Sequence, residues 1–186
     1  MVAAAVMALR CGNGLDKGTT LGPLINQAGL DKTRTQVEDC IAKGATVLVG
    51  GAIDSGLNDR GGLFFQPTVL SGVTPSMLPF RQETFGPLLP LTRFSSEAEV
   101  IAMANDSAFG LAGYACTTDL ARAWRVAEAL DCGMVGINEG GISADSTPFG
   151  GVKESGVGRE GGVYGLAEYL ETKYICMGLG QSSGSR

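Results

Sequence analysis

The chain has 186 residues, 44% of them hydrophobic and only 18% charged, so it can bury one sizeable core and does not have the composition of a disordered segment. Its net charge of -5 comes with scattered lysines and arginines, which argues against a nucleic-acid groove or an anionic membrane surface as partner. With no histidine anywhere, Ser-His-Asp and Cys-His catalysis and every His-containing metal site are excluded. Small-molecule chemistry is the class that fits better, and no metal site is assigned. The five cysteines, Cys11, Cys40, Cys116, Cys132 and Cys176, are odd in number and form no Cys-x-x-Cys pair. They read as free thiols in a reducing compartment, each a small buried hydrophobe rather than a reactive group.

In chain order, Met1 to Leu9 is apolar but too short to span a bilayer, and it lacks the basic start of a leader. It reads as a helix opened at its first turn, running into Arg10 and the Gly12-Asn13-Gly14 turn. Asn26 can cap a helix with Leu30, Thr33, Val37, Cys40 and Ile41 at three- and four-residue spacing, ending at Lys43-Gly44. The β-branched run Thr46-Val47-Leu48-Val49 then reads as a buried strand. Asp54 to Gly62 is polar and glycine-rich, a surface loop. After a strand-like segment from Leu88 to Phe94, Ser96-Glu97-Ala98-Glu99 is a capping box that opens a helix through Met103 and Ala104.

The third unit is the clearest. Leu111 to Cys116 reads as a strand, Asp119 starts a helix with Leu120, Trp124, Ala127 and Leu130 on its apolar stripe, and Met134 to Ile137 returns as a strand. Strand and helix alternate, so the expected class is α/β with a mostly parallel sheet. Leu166 to Met177 has β propensity with no helix after it, and the polar tail Gln181 to Arg186 follows. That segment suits an arm that pairs with another sheet edge, including one on another subunit.

Two stretches carry chemistry. In Glu83-Thr84-Phe85-Gly86-Pro87, an acidic side chain sits beside an aromatic and a Gly-Pro pair that stiffens the backbone. Such a carboxylate can accept two hydrogen bonds from a vicinal diol, as ribose offers, and the aromatic can abut a planar ring. Standing alone, the same residues read as a turn carboxylate and a core aromatic. The second stretch, Pro148 to Glu160, contains Gly156-Val157-Gly158-Arg159-Glu160-Gly161, which has the Gly-x-Gly-x-x-Gly spacing of dinucleotide loops. Lys153-Glu154-Ser155 precedes it where an apolar strand is required, so the match is discounted.

Together with Gly12-Asn13-Gly14-Leu15, Gly22-Pro23-Leu24-Ile25, Phe65-Gln66-Pro67-Thr68-Val69-Leu70 and Phe109-Gly110-Leu111, these stretches resemble the aldehyde dehydrogenase superfamily along nearly the whole chain. Within it, Gly133 to Gly140, Ile142-Ser143 and Glu168 to Tyr174 resemble the succinate-semialdehyde branch. The resemblance implies roles where residues match. Glu83 is similar to the carboxylate that holds the nicotinamide ribose of NAD or NADP, and Phe85 to the aromatic beside the nicotinamide ring. Phe149 resembles an aromatic lining the aldehyde pocket. Ser143 resembles a hydroxyl that binds the far carboxylate of the substrate, although it reads also as a loop-stabilising residue. Lys153, Arg159 and Glu160 fit a bracing role in the glycine-rich segment.

The family chemistry uses a cysteine thiolate that attacks the aldehyde, hydride transfer to NAD or NADP, and a glutamate that activates water against the thioester. No cysteine here stands in a Gly-Gln-x-Cys context, so no catalytic residue is assigned within the chain. A thiol without a lowered pKa is no substitute. The resemblance thus implies residues 1–165 as the C-terminal portion of an aldehyde dehydrogenase-like catalytic domain and 166–186 as an oligomerisation β arm and tail. The implied partners are a small aldehyde and further copies of the subunit, a dimer or tetramer, in the cytoplasm or the mitochondrial matrix. The alternative is a non-catalytic subunit that assembles with full-length enzymes, or a dehydrogenase for another aldehyde.

Overall fold

The computed structural model describes residues 1–58 and 61–179. The expected polar tail from Gln181 onward, and Asp59 and Arg60 of the expected surface loop, lie outside the described residues. Helices and short strands alternate, giving an α/β chain in two compact units, Met1–Met103 and Ala104–Arg186.

The first unit is organised by one long helix on one central strand. After α1 (Val2–Met7), helix α2 (Gln27–Ala42) begins where Asn26 Oδ1 accepts from Gly29 N at 2.9 Å. Leu30, Thr33, Gln36, Val37 and Cys40 are buried on one side, which is the three-four repeat read from the sequence with one polar addition. Ile41 lies off that side and is half-exposed, contrary to expectation. The helix stops because Gly44 takes φ +92°, a left-handed conformation that costs glycine little.

Strands β1 (Thr46–Val49), β2 (Thr68–Ser71) and β3 (Leu88–Leu91) form a sheet in the order β1-β2-β3. β2 runs antiparallel to β1 and parallel to β3, with Leu70 opposite Val47 on one side and Pro90 on the other. The buried strand is therefore β2, not β1: Val69 and Leu70 are fully buried, whereas Leu48 is half-exposed. An edge strand has one neighbour and one covered face, so its alternate side chains face water. Leu70 joins Leu30, Val37, Cys40, Phe65 and Met77 in the core, each buried aliphatic contributing roughly 1.5–3 kcal/mol. Within the expected loop, α3 (Ser55–Asn58) is one helical turn, started by Asp54 Oδ1 accepting from Leu57 N at 3.2 Å.

A polar clasp ties α2 to the short helix α4 (Leu78–Arg81). Asp39 Oδ2 accepts from Leu78 N at 2.8 Å, its other oxygen meets Lys43 Nζ at 2.7 Å, and Lys43 Nζ donates to Ser76 O at 2.7 Å. The hydrogen bond from Lys43, then that from Leu78, holds the Asp39 carboxyl below its ordinary value. Helix α5 (Glu97–Asn105) opens with Ser96 Oγ accepting from Glu99 N at 3.1 Å, while the Glu99 carboxylate accepts from Ser95 N at 2.6 Å, one residue earlier than in a standard capping box.

The second unit has a β-α-β segment: β5 (Ala112–Ala115), α6 (Leu120–Ala129) and β6 (Met134–Ile137), with β5 and β6 parallel. A short antiparallel pair, β4 (Phe109–Gly110) with β7 (Val152–Lys153), lies beside it in sequence. Pairing across the chain is thus mixed, two parallel and two antiparallel ladders among the described residues, where a mostly parallel sheet was expected. Asp119 caps α6 as expected, accepting from Arg122 N at 3.1 Å. Its inward face differs from the expected stripe: Ala123, Val126, Ala127 and Leu130 are half-buried, while Leu120 and Trp124 are exposed.

Val163–Tyr169 forms a 3-10 helix, so Leu166 to Tyr169 is not strand, and residues 170–179 carry no ladder. Tyr174, Ile175 and Met177 are exposed there. β propensity is expressed only against a partner edge, and none is offered to it among the described residues. Cys40 is fully buried as expected, but Cys116 and Cys176 are exposed, and all five thiols are free. No helix among the described residues is long and apolar enough to cross a membrane.

Leu70→Ala should cost about 2–5 kcal/mol in denaturant unfolding, because the site is fully enclosed and collapses poorly. Asp39 contributes stability with a definite sign. Its folded pKa is depressed, so the contribution is present above the ordinary carboxylate value and is lost as the pH falls through the folded one. Thermal melts of Asp39→Asn from neutral to strongly acidic pH should show a flatter acid limb than those of the parent.

Candidate functional site

The loop between α4 and β3 presents the first pair of candidate residues. Phe85 has φ +45°, left-handed backbone that an aromatic residue adopts only under constraint, at a cost on the order of 1–3 kcal/mol. Its ring is 83% exposed, which rules out the core-aromatic reading. Glu83 is exposed as well, two residues before it.

Helix α2 supplies the constraint. Gln36 Nε2 donates to Glu83 O at 3.4 Å, and Thr33 Oγ1, itself donating to Gly29 O at 2.9 Å, sits directly against Gly86. A Cβ at Gly86 would collide with that hydroxyl, so glycine is required there for close approach rather than for its freedom of φ. Thr33 and Gln36 are both fully buried. Pro87 follows and its carbonyl accepts from Thr68 N at 2.8 Å, starting the β2–β3 ladder. The loop is therefore held at both ends and solvent-facing in the middle.

In the second unit, Phe149 pairs with Glu160 through two backbone hydrogen bonds of 2.7 Å. It lines a cavity of about 760 Å³. The walls are Gly150 and Gly151, the turn from Ser155 to Gly162, residues of the 3-10 helix including Glu168 and Tyr169, and Leu111 and Asp145. Arg159 braces this ribbon as expected: its Nη1 donates to Gly151 O and Gly158 O, both at 2.7 Å. Lys153 also braces, donating to Asn105 O at 2.9 Å and pairing with Asp131 at 2.8 Å. The Gly156 to Gly161 spacing is no phosphate cradle. It follows a two-residue strand, precedes a 3-10 helix, and lines a wall with three carboxylates, Asp145, Glu160 and Glu168, to one guanidinium.

Ser143 is exposed in the segment after β6 and is not among the residues lining that cavity. The structure thus gives Phe149 a pocket wall and leaves Ser143 on a nearby stretch of chain in the same unit. Asn138, with φ +56°, joins the carboxyl ends of β5 and β6: its Oδ1 accepts from Thr117 N at 2.9 Å and its Nδ2 donates to Thr117 O at 2.8 Å. Carboxyl ends of parallel strands are where open α/β sheets place ligands.

The thiols do not form a nucleophilic centre. Burial pushes Cys11, Cys40 and Cys132 upward in pKa, so each is protonated at neutral pH. No group of three or more potential metal ligands occurs among the described residues. The tertiary contacts of Thr33, Gln36 and Asn138 escape sequence reading. Gln36 leaves one trace: it falls on the apolar stripe of α2, where a polar residue must find a partner.

The aldehyde dehydrogenase family model matches residues 1–175. The chain is 55% identical over 92% of its length to the mouse protein named mitochondrial succinate-semialdehyde dehydrogenase, covering 32% of that protein. It is 52% identical over 96% of its length to a glutarate-semialdehyde dehydrogenase of Pseudomonas putida, covering 36% of it. The crystal structure of succinate-semialdehyde dehydrogenase from Burkholderia pseudomallei superposes with a TM-score of 0.89 at 52% identity, over 95% of this chain and 36% of that one. The chain spans about a third of the length of these relatives.

Gly86→Ala should destabilise the first unit by about 1–3 kcal/mol, since the added methyl group meets the Thr33 hydroxyl. Thr33→Ala removes that hydroxyl. A double-mutant cycle by denaturant unfolding should therefore show Gly86→Ala costing less in the Thr33→Ala background than in the parent.

Proposed function

The chain belongs to the aldehyde dehydrogenase family, and we propose that it contributes the cofactor-facing and pocket-lining residues for NAD(P)-dependent oxidation of succinic semialdehyde to succinate. The observation that carries this reading is the Glu83–Pro87 loop, which holds a carboxylate and a strained aromatic in solvent beside α2. A carboxylate accepts both hydroxyls of a ribose diol, and an exposed ring offers its face to nicotinamide. The residues fit the group. Bound dinucleotide supplies the hydride acceptor; Glu83 and Phe85 orient its nicotinamide end.

In the second unit, Phe149 supplies an apolar wall for the aldehyde chain and Ser143 donates to the far carboxylate. A hydroxyl replaces one of the water hydrogen bonds that the carboxylate loses on entry. The glutarate-semialdehyde relative supports a second substrate of the same class. The two differ by one methylene, and such a difference is worth only about 1–3 kcal/mol in a pocket. The substrate class is thus an ω-semialdehyde carboxylic acid. Residues 166–186 serve as an arm that joins copies into a dimer or tetramer, supported by the exposed apolar side chains of its described part. The setting is a reducing one, cytoplasm or mitochondrial matrix, in keeping with the free thiols.

No cysteine in a Gly-Gln-x-Cys context is present, and the more buried thiols are protonated. The 186-residue chain by itself should accordingly give no NAD(P)H absorbance with succinic semialdehyde and either dinucleotide. Turnover above the no-protein background would overturn the inactive-alone reading.

A further inference from the structure

Gln36 is a fully buried amide on α2, in a core otherwise made almost wholly of apolar side chains. Its Nε2 reaches one partner, the carbonyl of Glu83, and its Oε1 is buried without a hydrogen-bond partner among the described residues. An apolar side chain of the same shape would avoid desolvating that oxygen. The orientation is set by the contact itself, because exchanging the two amide atoms would bring two carbonyl oxygens together. At 3.4 Å the bond is long, and it runs from a fully buried donor to the carbonyl of an exposed residue.

The neighbouring geometry gives the contact a use. Phe85, at φ +45°, does not hold its backbone by local preference and relaxes unless both flanks are fixed. On the far flank Gly86 rests on Thr33. On the near flank the described contact to α2 is Gln36. The two helix residues are three apart, one turn of α2, and so address the two sides of a single twisted residue.

We propose that Gln36 is a positioning residue that fixes the Glu83–Phe85 backbone from beneath, so that carboxylate and ring are held at set positions before any ligand arrives. The proposal rests on the assignment of Glu83 and Phe85 to the cofactor. Gln36 acts through the Glu83 carbonyl and touches neither cofactor nor substrate.

The test is made on the isotope-labelled 186-residue chain. In the parent, the Gln36 side-chain amide protons should exchange slowly and show a nuclear Overhauser contact to the Thr84 Hα. In Gln36→Met, which keeps length and loses both polar atoms, the thermal midpoint should be unchanged or raised. The backbone order parameters of Thr84, Phe85 and Gly86 should nonetheless fall from rigid values of about 0.85 to below about 0.6, while those of α2 are unaffected. Unchanged loop order parameters, or a fall spread along α2 together with a lower midpoint, overturns the positioning role. If the variant does not fold, fast exchange of the parent's Gln36 side-chain amide overturns it alone. The readout contains no dinucleotide, so its failure leaves the cofactor assignment standing. Conversely, a complete enzyme whose dinucleotide affinity is unmoved by Glu83→Gln would remove that assignment without touching the tether.

Discussion

The packing of one face of α2 onto β2 is the interaction on which the first unit depends. Leu30, Val37 and Cys40 bury against Leu70, Phe65 and Met77, and this contact fixes where the helix stands. Once it stands there, the polar residues interleaved on the same face have determined positions. Thr33 and Gln36 meet the loop before β3, and Asp39 meets the start of α4. Core and site support are thus carried by one surface, so a cavity in the core should disturb the loop and a change in the loop should be felt in the core.

Strain at Phe85 is the counterpart of that rigidity. A left-handed aromatic costs free energy that the surroundings must supply, and the surroundings here are buried side chains rather than other loop residues. The result is an exposed ring and an exposed carboxylate at defined places. Preorganisation of this kind lowers the ordering cost that a ligand otherwise meets on binding.

The second unit achieves order by different means. Its helix α6 and strands β5 and β6 are half-buried at most, apart from Gly136, and its glycine-rich ribbon is held by backbone pairing and by Arg159 across two carbonyls. A guanidinium presents several donors in a fixed plane, which suits it to gathering carbonyls of a chain segment that has few side chains of its own. The cavity beside Phe149 exists because that ribbon is bare of side chains over much of its length.

Local rules made much of this legible from residues alone. The caps at Asn26, Ser96 and Asp119, the stop at Gly44 and the β-α-β segment from Ala112 to Ile137 follow from hydrogen-bonding groups and periodicities within a few residues of one another. The family resemblance likewise rests on short motifs, and it implies roles for Glu83, Phe85, Ser143 and Phe149. Tertiary structure alone decided the rest. That β1 is an edge and β2 the centre, that Leu120 and Trp124 face outward, and that Leu166 to Tyr169 coils rather than extends all depend on which partner surface is present, and periodicity carries no record of partners. The support of Glu83 by Gln36 spans 47 positions of sequence. Such a contact is fixed by how α2 packs, and only the folded core brings its two ends together.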